Sequence, residues 1–77
     1  MLHVTLFTSS TLLFEGDSRS VLLPGELGWF EIGPFHKPLL SRLVAGDAII
    51  DGRHFPIKHG VVKVKKNEVS IMVEPEK

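Results

Sequence analysis

The sequence predicts an all-β fold, a small flattened β-sandwich or barrel of about eight to ten short, mostly antiparallel strands. Three observations carry that expectation. Apolar residues recur at a period of two along most of the chain, and β-branched residues are frequent among them. Turn signals return about every eight to twelve residues, the spacing of a sandwich. No segment shows the apolar stripe of an amphipathic helix.

At the N-terminus, "LHVTLF" places Leu2, Val4 and Leu6 on one face of a strand and His3, Thr5 and Phe7 on the other. "TLLFE" and "SRSVLL" read as the next two strands, with Gly16-Asp17 as a tight turn or glycine bulge between them. From Pro24 to Leu40, "PGELGWFEIGPFHKPLL" reads as a long connection, held to few conformations by prolines at 24, 34 and 38 and glycines at 25, 28 and 33. Leu27, Trp29, Phe30 and Phe35 cannot all turn inward from such a loop, so some are expected at the surface. The one helical turn expected lies near "PLLSRL".

"AII" and "RHFPI" flank Asp51-Gly52, the strongest hairpin signal in the chain, because both residues tolerate the positive φ of a type I′ turn. Pro56 confines its strand to a sheet edge or a bulge. "VVKVK" and "EVSIMVE" pair around Lys66-Asn67, with Val69, Ile71 and Val73 on one face and Ser70, Met72 and Glu74 on the other. The final "EPEK" is expected to fray.

Seventy-seven residues fit one domain, residues 1–77, that buries only about 60% of its unfolded surface. With no cysteine there is neither a disulfide framework nor a thiolate metal site, so stability rests on packing or on a partner that covers apolar surface. Nine basic and nine acidic residues give a formal charge of +0 and no field for steering toward nucleic acid or anionic membrane. No run reaches the roughly 20 apolar residues of a membrane span. "MLHVTLFTSS" lacks the basic start of a leader peptide, so a soluble, unprocessed chain is expected.

Searches for chemistry return little. His54 and His59 are an odd number of residues apart, with Pro56 between them, so on a regular strand they face apart and make poor co-ligands. No glycine elbow flanks a serine, and "PGELG" lacks the lysine and the following helix of a phosphate cradle. "KVKK" alternates lysine with valine, as a solvated face or edge guard does. The expectation is no catalytic residue, no cofactor, no metal and no nucleic-acid partner.

The segment "SVLLPGELGWFEIGPFHKPLLSRLVAGDAII" resembles the N-terminal β-sandwich of the epsilon subunit of rotary ATP synthases, called delta in mitochondria. Pro24, Gly25, Gly28, Pro34, His36, Pro38, Leu39, Leu40, Leu43 and Gly46 stand where the family pattern asks for them. "LFEGDSRSV" is similar to its second and third strands, and "FPIKHGVVKVKKNEVSIMVE" to its closing hairpin. Two departures stand out, since the family usually has glycine at the positions of Glu31 and Phe35, and a left-handed backbone there costs a residue with a β-carbon on the order of 1 kcal/mol. The loop is therefore expected to be shaped differently. Trp29 also replaces an acidic residue.

The resemblance implies a non-catalytic rotor subunit that couples the gamma shaft to the c-ring in a hetero-oligomeric complex. Such a subunit sits peripherally on the cytoplasmic face of a bacterial inner membrane, without inserting into it. It places Thr8, Ser9, Ser10, His36, Leu39 and Leu40 toward gamma, and Glu26, Leu27, Gly28, Trp29 and Phe30 toward the c-ring. Family members continue into a two-helix hairpin, whereas this sequence reaches Lys77; an arm naturally absent and a sequence cut short of it both stay open. The alternative from another class is a stand-alone β-barrel that binds a peptide or oligonucleotide through its apolar loop.

Overall fold

In a computed structural model that describes residues 1–75, the period-two pattern becomes burial. Strand β1 (Leu2–Phe7) buries Leu2, Val4 and Leu6 and leaves His3, Thr5 and Phe7 partly open. Then follow β2 (Leu12–Ser18), β3 (Val21–Gly25), β4 (Gly28–Ile32), β5 (Leu39–Leu43), β6 (Gly46–Ile50), β7 (Arg53–Lys65) and β8 (Glu68–Pro75). The strands run in the order β2-β1-β8-β7-β5-β3-β4, with β6 bridging β3 and β7. All pairs are antiparallel except β1 with β8.

The long β7 makes two layers out of this order. Its first residues pair with β6, and from Ile57 onward it pairs with β8 and then also with β5. The register shifts between Ile57 and His59, where a bulge bends the strand from one layer into the other. Pro56 precedes that bulge and is paired on one side only, with Asp47, as a residue without an amide hydrogen requires. Between the layers lie Leu2, Leu6, Leu23, Ile32, Ile50, Ile57 and Ile71, all fully buried, together with a belt of valines. Each such side chain contributes about 1.5–3 kcal/mol of burial.

Both expected hairpin turns form. Asp51 and Gly52 have φ of 49° and 78°, and Lys66 and Asn67 have 50° and 62°, the left-handed pair that matches strand twist. Elsewhere the structure corrects the sequence reading. Gly16 and Asp17 are not a turn but lie inside β2, where Gly16 faces Val4 and Asp17 faces His3. The chain reverses instead after Ser18, whose buried hydroxyl lies 2.8 Å from the Ser20 carbonyl and 2.9 Å from the Asp51 carboxylate, either of which can accept its one proton. "PLLSRL" forms no helical turn, because Leu39 to Leu43 pair residue by residue with Val64 to Gly60. Glu74 and Pro75 extend β8 against β7, while Glu76 and Lys77 lie outside the described residues.

Gly60 marks the tightest crossing of main chains. A β-carbon there would stand 2.5 Å from the Met72 carbonyl oxygen and 3.1 Å from the Val73 α-carbon, so only glycine lets β7 pass between β5 and β8. On the flank, Arg53 stacks its guanidinium over Phe14 (5.5 Å) and Phe55 (5.3 Å), two rings that meet edge to face at 6.0 Å. That stack joins β2 to β7, which share no backbone pairing.

Candidate functional site

The stretch from Pro24 to Leu40 is not one connection but two turns around a strand. Glu26 and Leu27 form the β3–β4 turn, and β4 pairs with β3 from Gly25↔Gly28 to Val21↔Ile32. Its apolar residues divide as their surroundings allow. Phe30 turns inward, and its ring would stand 2.8 Å from any β-carbon at Gly25, which fixes glycine there. Trp29 is 53% exposed and lays its indole beside Gly46 and Pro24. Leu27 projects fully into solvent, flanked by exposed Glu26 and Gly28.

At the other end of β4, Gly33 to Pro38 form a loop in which Pro34 and Phe35 turn the chain. The His36 amide donates to the Gly33 carbonyl at 3.3 Å. Of the two positions where glycine was the expectation, Glu31 lies in β4 opposite Leu22 as ordinary strand. Phe35 does adopt the left-handed conformation, with φ of 63°, at about 1–2 kcal/mol of local strain. Its amide donates to Asn67 Oδ1 at 2.7 Å, and the Asn67 carbonyl accepts from the His3 amide at 2.8 Å. One residue in the β7–β8 turn, through its side chain on one side and its main chain on the other, thus ties this loop to the start of β1.

His36 is half-buried, and its Nδ1 donates to the Lys37 carbonyl at 2.7 Å. Leu39 packs against the core, whereas Leu40 is 75% exposed, opposite Lys63. A shallow groove of about 360 Å³ runs here, lined by Pro38, Leu39, Leu40, Lys63, Val64 and Lys65. Thr8, Ser9 and Ser10 stand elsewhere, in a turn held by the Thr8 hydroxyl, which accepts from the Thr11 amide at 2.9 Å. They line a larger groove of about 880 Å³ with Glu26, Arg42 and His59. The six residues expected to face one partner therefore lie toward opposite ends of β5, with Thr8, Ser9 and Ser10 following β1, three strands away across the sheet, and Glu26, expected to face another, lies beside these three.

What fills the space between decides whether the two groups can act together. Leu40, Arg42, Val61, Met72 and Phe7 lie on one outer face, related by the β5–β7, β7–β8 and β1–β8 registers. Leu40, Val61 and Met72 are exposed large apolar residues on it. A continuous, partly apolar sheet face therefore connects Leu40 to the turn that bears Thr8.

The family model of the ATP synthase delta/epsilon chain β-sandwich domain matches residues 1–75. The chain belongs to that family. Among curated relatives of this delta/epsilon sandwich, the ATP synthase epsilon chain of Campylobacter fetus is 36% identical over 78 aligned positions, covering 95% of this chain and 60% of that protein. The epsilon chain of Rickettsia typhi is 32% identical, covering 95% of this chain and 73% of that protein. The chain thus spans a little over half to about three-quarters of these relatives. Among solved structures, a chain from the central stalk and c-ring of Tetrahymena thermophila mitochondrial ATP synthase superposes with a TM-score of 0.80 at 22% identity, covering 95% of this chain and 63% of that one. A chain of the Euglena gracilis mitochondrial enzyme gives 0.83 at 16%, covering 94% and 49%. At those identities the superpositions bear on the fold.

Two histidines of this delta/epsilon sandwich contact carboxylates. His3 lies between Asp17 (3.4 Å) and Glu15 (3.3 Å), hydrogen bonds that raise its pKa above the ordinary 6.5, Asp17 contributing most. His54 contacts Asp47 at 3.0 Å. Among the described residues no three histidine or carboxylate side chains gather as a metal site, and no described helix is long and apolar enough to cross a membrane. From sequence, Asn67 and Met72 stand out only as a turn residue and a strand residue, and Val61 not at all, since nothing local marks a contact that depends on strands far apart in the chain.

Proposed function

We propose that this chain is a non-catalytic rotor subunit of an F-type ATP synthase, coupling the gamma shaft to the c-ring during ATP synthesis driven by ion transport. The observation that carries the reading is the match to the delta/epsilon β-sandwich domain along residues 1–75. The Tetrahymena relative in fold belongs to a central stalk and c-ring assembly, which supports the same place for this chain. The complex would sit at the cytoplasmic face of a bacterial inner membrane, with the sandwich outside the lipid.

The mechanism is mechanical. Torque passes through a contact only if that contact is stiff, and a sandwich with an interdigitated core deforms little under load. The turn from Glu26 to Phe30 presents Leu27 and Trp29 outward for the c-ring. His36, Leu39 and Leu40 meet gamma at one end, and the outer face through Val61 and Met72 carries that contact to Thr8, Ser9 and Ser10.

The test is co-purification with gamma and the c-ring. Leu40→Asp should remove gamma from the purified complex, and Trp29→Ala should weaken cross-linking to the c-ring while gamma is retained. Undiminished assembly in both variants would defeat the assignment.

A further inference from the structure

We infer that Phe35 is an anchor residue for an acidic, apolar-lined pocket on the gamma subunit, an inference that rests on the rotor reading above. Three observations converge on it. Phe35 is 88% exposed, so its ring makes almost no contact within the chain. It occupies a left-handed backbone conformation that disfavours a residue of its size, held by the His36 amide bond to the Gly33 carbonyl across the turn and by the Asn67 side chain, 32 residues away in sequence. Strain retained where it adds nothing to packing is the pattern of a residue kept for contact with something else. The fixed ring of Pro34 and the bond from the Phe35 amide to Asn67 limit the loop, so the aromatic ring is presented in advance of binding, which lowers the entropy lost on docking.

The surroundings specify the partner's chemistry. Lys37 stands in the same loop, and Lys63, Lys65 and Lys66 at the end of the hairpin that carries Asn67, all exposed; the acidic residues nearest in the chain are Glu68, just past the hairpin turn, and Glu31, two residues before the loop. An aromatic anchor with a basic rim fits an apolar pocket bordered by carboxylates. Leu40, exposed opposite Lys63, extends the same surface toward the face assigned to gamma.

The experiment measures affinity of the chain for the gamma subunit of the same organism, alongside thermal stability. Phe35→Gly removes the ring and relieves the backbone together. It should weaken gamma binding by about thirtyfold or more, while the melting temperature holds or rises. Lys65→Glu with Lys66→Glu should weaken binding and flatten its salt dependence. Wild-type chain that fails to bind gamma overturns the rotor reading itself. Binding by the wild type that Phe35→Gly leaves unchanged overturns this inference alone. So does a loss by Phe35→Gly that appears only on vesicles of equal parts phosphatidylglycerol and phosphatidylcholine, because the ring would then serve lipid.

Discussion

Gly60→Ala would set a methyl carbon 2.5 Å from the Met72 carbonyl oxygen, 3.0 Å from Val73 Cγ1 and 3.1 Å from the Val73 α-carbon. Real β-carbons essentially never come within 3.0 Å of such atoms, so the β8 main chain must retreat, since a carbonyl oxygen cannot rotate away as a flexible side chain would. The retreat loosens the Gly60↔Val73 pairing and lifts Val73 from the core. Overpacking of this kind costs about 1–3 kcal/mol, and a disturbed main-chain hydrogen bond about 1 kcal/mol more. Together they give about 2–4 kcal/mol, a fall in melting temperature of about 10–30 °C for a domain of this size. Two other glycines calibrate the result. Gly52→Ala meets open space at φ of 78° and should cost only the conformational part, about 1–2 kcal/mol. Gly33→Ala meets open space without a positive φ and should be neutral or stabilising by up to about 1 kcal/mol. Urea unfolding followed by circular dichroism and by the fluorescence of the single tryptophan, Trp29, would rank the three. A Gly60→Ala protein as stable as the wild type, or less affected than Gly52→Ala, would refute the close crossing of β7 and β8.

Three further predictions concern other contacts. Because the folded-state pKa of His3 is raised, folding takes up a proton there; the stabilisation is fully present below pH 6.5 and is lost as pH rises through the raised value. NMR titration should place the His3 midpoint above 6.5 and return it toward that value in Asp17→Asn; an unshifted wild-type midpoint would contradict the contact. Ser18→Ala removes the buried hydroxyl that lies against both the Ser20 carbonyl and the Asp51 carboxylate, and should cost about 1–2 kcal/mol in urea unfolding; no loss would mean the hydroxyl is replaceable by water. Phe14→Ala and Arg53→Ala should be non-additive in a double-mutant cycle, by about 0.5–1 kcal/mol, and simple additivity would exclude the stacked guanidinium.

Wherever a signal was local, it was legible in the sequence. Asp51-Gly52 and Lys66-Asn67 carry their turn chemistry within two residues, and alternation in β1 and β8 correctly divided core from surface. Gly16-Asp17 misled because a glycine beside an aspartate imitates a turn; here pairing with Val4 and His3 on β1 outweighs that preference. "PLLSRL" imitated a helix through Leu39, Leu40 and Leu43, a spacing that β7 overrides with a five-residue ladder. The candidate interface was less legible. Phe35 stood out as a departure from its family, yet its support comes from Asn67, and the face joining Leu40 to Met72 is assembled from β5, β7 and β8 by register alone.

β7 belongs to both layers, and this has a mechanical consequence. Sliding one layer over the other would require stretching a covalent strand or breaking its pairs with β6, β5 and β8 together. Lateral compliance is therefore governed by peptide bonds and ladder hydrogen bonds, and only secondarily by side-chain packing. Core truncations that lower the melting temperature should leave the elastic response to a sideways load nearly intact, so that heat resistance and stiffness can vary independently in this domain.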